Sequence, residues 1–483
     1  MMGKRRTIRV WARAGLVAAL ALVCALGGCH RHRAAKEGRT PAPGPASQGG
    51  ARISNPTKED QEEARAMAID AAGGSLYVAG FDNTPGTNDT AWRIEKMPLG
   101  DGDGARAFGE GGAVSANPSP RHDWIEAIAL DGASGCLFAA GCDGARGYAQ
   151  WRVEKRDAAT GRLVEGFGGG GVLQIDPSPG NDFVAAVGCD GDGFLYLAGS
   201  QFFGDQPRGH ASPDHEHRET QDGWRIEKRR ASDGALVPGF GQGGVILGDH
   251  SPLNDEINAM AIDPAGGCLY AAGWDRCQGD ENRQWRLEKR RLDNGAPVAD
   301  FGQGGAVTDN PSGRNDVIAC LALDPAGGVL YAAGYDNSTG KKQWRIQKRR
   351  MSDGSLVGGF GEGGTIAFNP SPHHDVPKAI ALDAAGGFFF LGGVSREPRD
   401  GQWRIEKRRC ADGGRDPAFG DAGVILQDPN PTANDEVRAM ALDPAAGLLY
   451  LTGFQSRKGD RAWRTERRDM SDGRLVPGEG WRD

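Results

Sequence analysis

The chain has 483 residues, a quarter of them charged, and a formal net charge of −7. Residues 1–48 are basic, so the remainder is more acidic than the whole, which argues against nucleic acid as a partner because phosphate neutralisation supplies most of that affinity. With 77 glycines, 11 tryptophans and no helical periodicity after the first thirty residues, the composition excludes a helical protein and points to short strands joined by tight turns.

The N-terminus opens with Lys4, Arg5, Arg6, Arg9 and Arg13, followed by the apolar run 14–26. That run suits a signal peptide and is short for a membrane-spanning helix. It ends in Leu26-Gly27-Gly28-Cys29, which resembles a bacterial lipobox. The resemblance implies removal of residues 1–28 as a lipoprotein signal and lipid attachment at Cys29. Each buried methylene contributes ~0.8 kcal/mol, so several acyl chains hold a folded domain at a bilayer. Residues 29–48 then form a basic, Pro-rich linker. His30 stands where an aspartate is associated with inner-membrane retention, so the resemblance points to the outer membrane, periplasmic or surface-facing.

Beyond the linker, Trp-Arg-x-Glu-Lys-Arg or a near variant recurs seven times, at Trp92, Trp151, Trp224, Trp285, Trp344, Trp403 and Trp463. The spacing is about 60 residues, apart from one longer interval before Trp224. A fixed period of this size marks a solenoid, propeller or array. Each unit holds four strand-like segments, as in VIACLALD, VLYAAGYD, QWRIQKRR and GGTIAFNP, with Asp-Gly and Pro-Ala-Gly-Gly turns between them. In the first segment of every unit, small residues alternate with larger apolar ones, which describes a strand buried on both faces and crowded on one. That is the inner strand of a propeller blade, where blades converge on the axis. The expected fold is therefore an all-β, seven-bladed β-propeller over residues 49–483, with four antiparallel strands per blade. The tryptophans are expected as wedges between blades, and the alternating Arg and Glu as ion pairs from blade to blade.

The last unit begins at Glu436 and lacks a fourth strand, while residues 49–60 match the fourth-strand segments of other units. An N-terminal strand is thus expected to complete the last blade and close the ring. The segments Phe360-Gly361-Glu362-Gly363-Gly364, Asn315-Asp316 and Gly328-Val329-Leu330-Tyr331-Ala332-Ala333-Gly334 resemble the delta-60 repeat family of bacterial propeller-like proteins over roughly residues 49–483. The resemblance implies a fold and no common activity. Two departures are the recurring Trp and the replacement of Phe-Gly by Glu479-Gly480 in the last unit.

Three sets of residues are candidates for chemistry. A second aspartate precedes each first strand: Asp60, Asp123, Asp182, Asp255, Asp316, Asp375 and Asp435. At the mouth of an axial channel these could form a carboxylate ring around a cation, although such an aspartate more often caps a turn. The third unit carries an insertion with His210, Asp214, His215 and His217, side chains that suit a divalent cation, yet the spacing matches no metal motif and a solvated loop is the commoner outcome. His122, His373 and His374 fall on the same expected face. Asp101-Gly102-Asp103-Gly104 lacks the later ligands of a calcium loop and reads as a turn. Of the nine cysteines, the seven after Cys29 read mostly as small core residues, and Cys136 and Cys142 flank one strand too far apart to bond.

No cofactor is called for beyond that cation. The expected function is a monomeric, envelope-anchored binding or scaffold propeller, with the membrane as one partner through its lipid and an envelope protein or carbohydrate as another. The alternative is an enzyme such as a lactonase or lyase. Catalysis needs unlike residues converging at one place, whereas the prominent residues here recur in every unit.

Overall fold

The computed structural model describes residues 49–57, 61–86, 89–100, 105–204, 222–279, 281–397, 400–429, 433–457, 460–478 and 481. They form seven four-stranded antiparallel sheets and no helices. In the first blade the strands run Glu63–Asp70, Ser75–Gly86, Asp89–Pro98 and Ala113–Ala116 from inside to outside. Five further blades repeat that order. In the seventh, Glu436–Asp443, Leu448–Arg457 and Asp460–Asp469 are completed by Ala51–Ser54, which lies antiparallel to Asp460–Asp469. The seven inner strands contact one another in sequence around the axis, and the first also meets the last. The result is a closed seven-bladed propeller. Closure by the N-terminal strand covers an edge that would otherwise stand open.

Small residues on the inner strands permit this convergence. Ala66, Ala127, Ala186, Ala259, Cys320, Ala379 and Ala439 are all buried at the seams. Farther out, each repeat tryptophan is buried, and Trp92, Trp285, Trp403 and Trp463 donate their indole N–H to a second-strand carbonyl of the next blade. Lys96, Lys155, Lys228, Lys289 and Lys348 likewise donate across the seam to the carbonyls of Ala158, Ala231, Leu292, Met351 and Cys410, while Arg467 reaches Leu99 at the closing seam.

The Arg–Glu pairs differ from the expectation of ion pairs between blades. They run along one strand, as in Arg152–Glu154–Arg156 and Arg404–Glu406–Arg408. Residues two apart on a strand share a face, so the nearest carboxylate belongs to the same strand. At these motifs ion pairs cross two seams, Arg345 to Asp309 and Arg52 to Glu95, and a cation–π contact crosses every one. The first arginine of each motif lies over the tryptophan of the preceding blade, at 5.6 Å for Arg152 on Trp92 and 6.0 Å for Arg93 on Trp463.

The lost Phe-Gly of the last unit also finds an explanation. In other blades that phenylalanine packs edge-on against a second-strand aromatic, as Phe360 does on Tyr331 at 5.8 Å. In the last blade Trp481 takes the place, 5.6 Å from Tyr450, and its backbone carbonyl accepts from Gly50 N beside the closing strand. The seven described cysteines are free thiols, most of them buried. Among the described residues no helix is long and apolar enough to cross a membrane.

Candidate functional site: the channel mouth

Every inner strand carries a one-residue bulge against its neighbour, placed at Arg65, Glu126, Ala185, Asn258, Ala319, Lys378 and Arg438. The cause is a glycine in the second strand. A Cβ on Gly80 would lie 1.9 Å from the Glu63 carbonyl oxygen, and one on Gly273 1.9 Å from that of Glu256. Only glycine lets the inner strand press this close. A bulge re-aims its extra side chain. These seven positions lie near the end of the channel where the loops between second and third strands emerge, and they do not repeat.

Four of them build a chain of buried ions across three seams. Arg65 Nη1 lies 2.7 Å from Glu126 Oε2 and its Nη2 3.3 Å from Glu63 Oε2. Glu63 also contacts Arg438 at 3.3 Å and pairs with Arg461. Arg438 and Lys378 share Glu436 at 3.3 and 3.1 Å. Burial alone would raise the Glu63 carboxyl, but Arg438, Arg65, Arg461 and Lys378 hold it down at about 2. On the other side of the axis Ala185 and Ala319 are small, and Asn258 donates sideways to the Ile318 carbonyl.

Two more cations, together with Arg461, stand just before the third-strand tryptophans. Arg283 stacks over Trp274 at 3.9 Å, Lys342 sits 4.4 Å from the Tyr335 ring, and Arg461 lies 4.6 Å from Phe454. Lys342 is pulled down to about 8 by burial, Lys378, Arg283 and Arg396. Half-buried Glu256 faces Arg283 and Arg276 and is raised by desolvation. Blades two and three contribute aromatics instead, with Trp124 stacked on the exposed Phe183 at 6.2 Å. The mouth thus has a cationic sector over blades four to seven and one, and an aromatic sector over blades two and three.

Six of the aspartates named from the sequence are described, and all are fully buried. Asp123 accepts hydrogen bonds from Ser119 N and Oγ and from Gly144 N. Asp182 accepts from Ser178 Oγ and Phe202 N, and Asp255 from His250 N, Ser251 N and Oγ, and Arg276 N. Asp316 accepts from Ser312 and Asn337 N, Asp375 from Ser371 and Arg396 N, and Asp435 from Ser456 N. Asp123, Asp255, Asp316 and Asp375 each tie the segment joining two blades to the loop after their own second strand, and Asp182 and Asp435 reach the last residues of that strand. Burial raises Asp123, Asp182 and Asp255 to about 6 against those hydrogen bonds.

Asp60 lies outside the described residues, and the equivalent place in the first blade belongs to Glu62. It stands eight residues before Asp70, as Asp123 stands before Asp131. It is fully buried, accepts from Thr57 N and Oγ1, and is raised to about 7, chiefly by burial. His210, Asp214, His215 and His217 also lie outside the described residues, as do Cys29 and the signal and linker segments. Among the described residues no three His, Cys, Asp or Glu side chains gather as a metal-holding group. His374 accepts the Lys342 backbone N–H through Nδ1, and His373 N donates to Ser371 Oγ.

Reading the repeat for what recurs passes over Glu63, Arg65, Glu126, Glu256, Arg283, Lys342, Lys378 and Arg438. The signal that finds them is the reverse one, the positions where aligned units differ. These positions supply the convergent set of unlike residues that the recurring motifs lack.

No protein-family model matches the chain, and no curated protein matches it. Among solved structures it is similar to Sqt1 from Chaetomium thermophilum, at 14% identity and TM-score 0.40, covering 90% of this chain and 87% of that one. Sqt1 bound to the N-terminus of the ribosomal protein L10 matches at 11% identity and TM-score 0.39, covering 86% and 100%. Pyrococcus horikoshii acylaminoacyl peptidase matches at 8% identity and TM-score 0.39, covering 85% of this chain and 52% of that one. Likenesses at this level carry no argument about what the chain binds.

Proposed function

We propose that this chain is a lipid-anchored envelope protein of the delta-60 repeat type, and that its propeller binds a ligand at the mouth described above. Support for the anchor is the basic start, apolar run and Leu26-Gly27-Gly28-Cys29. The observation that carries the binding function is the convergence of non-repeating ionic and aromatic residues at one end of a ring that is otherwise regular. Regular positions answer to packing, whereas charges on four of the seven bulges, paired across three seams, answer to something else. Long loops on a rigid scaffold are where recognition usually resides, and the strands Phe194–Phe202 and Asp222–Arg230 that flank the long interval of blade three meet at this face.

A thermal-shift screen of the detergent-purified full chain against small envelope metabolites, sugars and peptides tests the site. Ligands found this way are expected to be lost in Phe183→Ala or Lys342→Gln and kept in Leu247→Ser, which alters an exposed outer strand. Retention of every ligand by both mouth variants overturns the assignment. The anchor is tested by mass spectrometry of the mature N-terminus, where lipid on Cys29 is expected and an unmodified N-terminus elsewhere removes it.

A further inference from the structure

The cationic sector has more positive groups than its own carboxylates occupy. Glu436 is shared by Lys378 and Arg438, and Glu63 by Arg65, Arg438 and Arg461. Among the described residues Lys342 has no ion-pair partner, and its ammonium rests on the Tyr335 ring. Arg438 is 6% exposed, yet its buried Nη1 has no hydrogen-bond partner; the same holds for the buried Nε of Arg283. A buried charged donor left unpaired is costly, and side chains from three blades hold these together.

We propose that Arg283, Lys342, Lys378 and Arg438 form a seat for a compact, multiply charged anion, either a polycarboxylate or a phosphate group. This rests on the mouth being the ligand site and adds the class of ligand. The cations that crowd Lys342, namely Lys378, Arg283 and Arg396, come from neighbouring blades and outweigh the one carboxylate acting on it, Glu436. Glu436 is already engaged in two ion pairs, and at Glu256 burial outweighs the pull of Arg283 and Arg276 and raises the carboxyl. The aspartates of the joining segments are committed to backbone N–H groups. An incoming anion is therefore the missing counter-charge, and it would gain charge-assisted hydrogen bonds in a partly desolvated site. The small bulge residues Ala185 and Ala319 add no charged side chain at those two bulges. Trp274 and Tyr335, under Arg283 and Lys342, hold the two cations in place from below.

The test is calorimetric titration of the detergent-purified full chain with citrate and, separately, inorganic phosphate, at constant ionic strength, with glucose as the neutral control. At least one anion is expected to bind and glucose not to. Lys342→Gln should weaken binding at least about tenfold, the scale of one charged contact. Lys342→Arg should retain it, and Lys341→Gln, at the exposed neighbour, should leave it unchanged. Citrate alone would identify polycarboxylates as the source, and phosphate alone phosphate esters. The anion assignment is overturned if neither binds the wild type, or if Lys342→Gln binds as tightly as wild type while melting normally. Should Lys342→Gln fold poorly, Arg283→Gln supplies the same comparison. If no anion binds but other ligands are still lost in Phe183→Ala, this inference fails and the site stands; if every ligand survives both mouth variants, both fail.

Discussion

Ser54 lies directly opposite Trp463, although 409 positions separate them in the chain. The pair belongs to the four-residue ladder that joins Ala51–Ser54 to the last blade, extended by Gly50 N to the Trp481 carbonyl and by Arg467 N to the Gly50 carbonyl. Ser54 Oγ also donates to Glu95, so the closing strand touches the first blade as well as the seventh. Deleting residues 49–57 should therefore lower stability by about 3–5 kcal/mol, from lost ladder bonds and uncovered apolar surface. Urea unfolding of the shortened and intact chains measures this, and equal midpoints would show that the ring closes without the strand.

Glu63 sits among Arg65, Arg438 and Arg461 at the same seam. Removing one partner of a buried ion pair leaves uncompensated charge, so Glu63→Gln should cost about 3–5 kcal/mol. Glu126→Gln should cost less, because Arg65 keeps Glu63. Denaturant midpoints for the two variants give the ranking, and a smaller loss at Glu63 would show that this network is not what binds the seam.

Trp344 is fully buried, with Arg404 of the next blade 5.8 Å from its ring. Trp344→Ala should cost about 3–5 kcal/mol through the cavity it leaves. A double-mutant cycle with Arg404→Met should return a coupling of about 0.5–2 kcal/mol for the cation–π contact. Strict additivity would reduce the recurring arginine to an ion-pair partner of Glu406.

Burial lifts Glu62 to about 7 and Asp123, Asp182 and Asp255 to about 6. A carboxyl raised on folding binds protons more readily in the native state, so its contribution is present at low pH and is lost as pH rises through the folded value. His250 works the other way. Its buried imidazole is depressed to about 4, which costs stability as pH falls below its ordinary value. Four carboxyls against two imidazoles, His250 and the less buried His374, predict that the urea midpoint rises between pH 7.5 and 5.5, and rises less in Asp255→Asn. A flat or falling profile would mean these carboxylates are ionised throughout, held by their backbone donors.

The repeat itself was legible in the chain. Seven tryptophans at a near-constant period, small residues on every first strand and an incomplete last unit determine blade number, strand order and closure, because each is a local pattern copied seven times. Glu62 in place of Asp60 was also within reach, by counting back from Asp70 rather than matching residue type. The ion pairs along single strands, the arginine over the preceding blade's tryptophan and Trp481 in the place of a missing phenylalanine depended on which face meets which blade. The channel mouth depended on tertiary structure most of all. Arg65, Glu126, Lys378 and Arg438 lie up to 373 positions apart and share no motif. They meet because second-strand glycines admit a bulge in every inner strand and the closed ring brings those bulges to one axis.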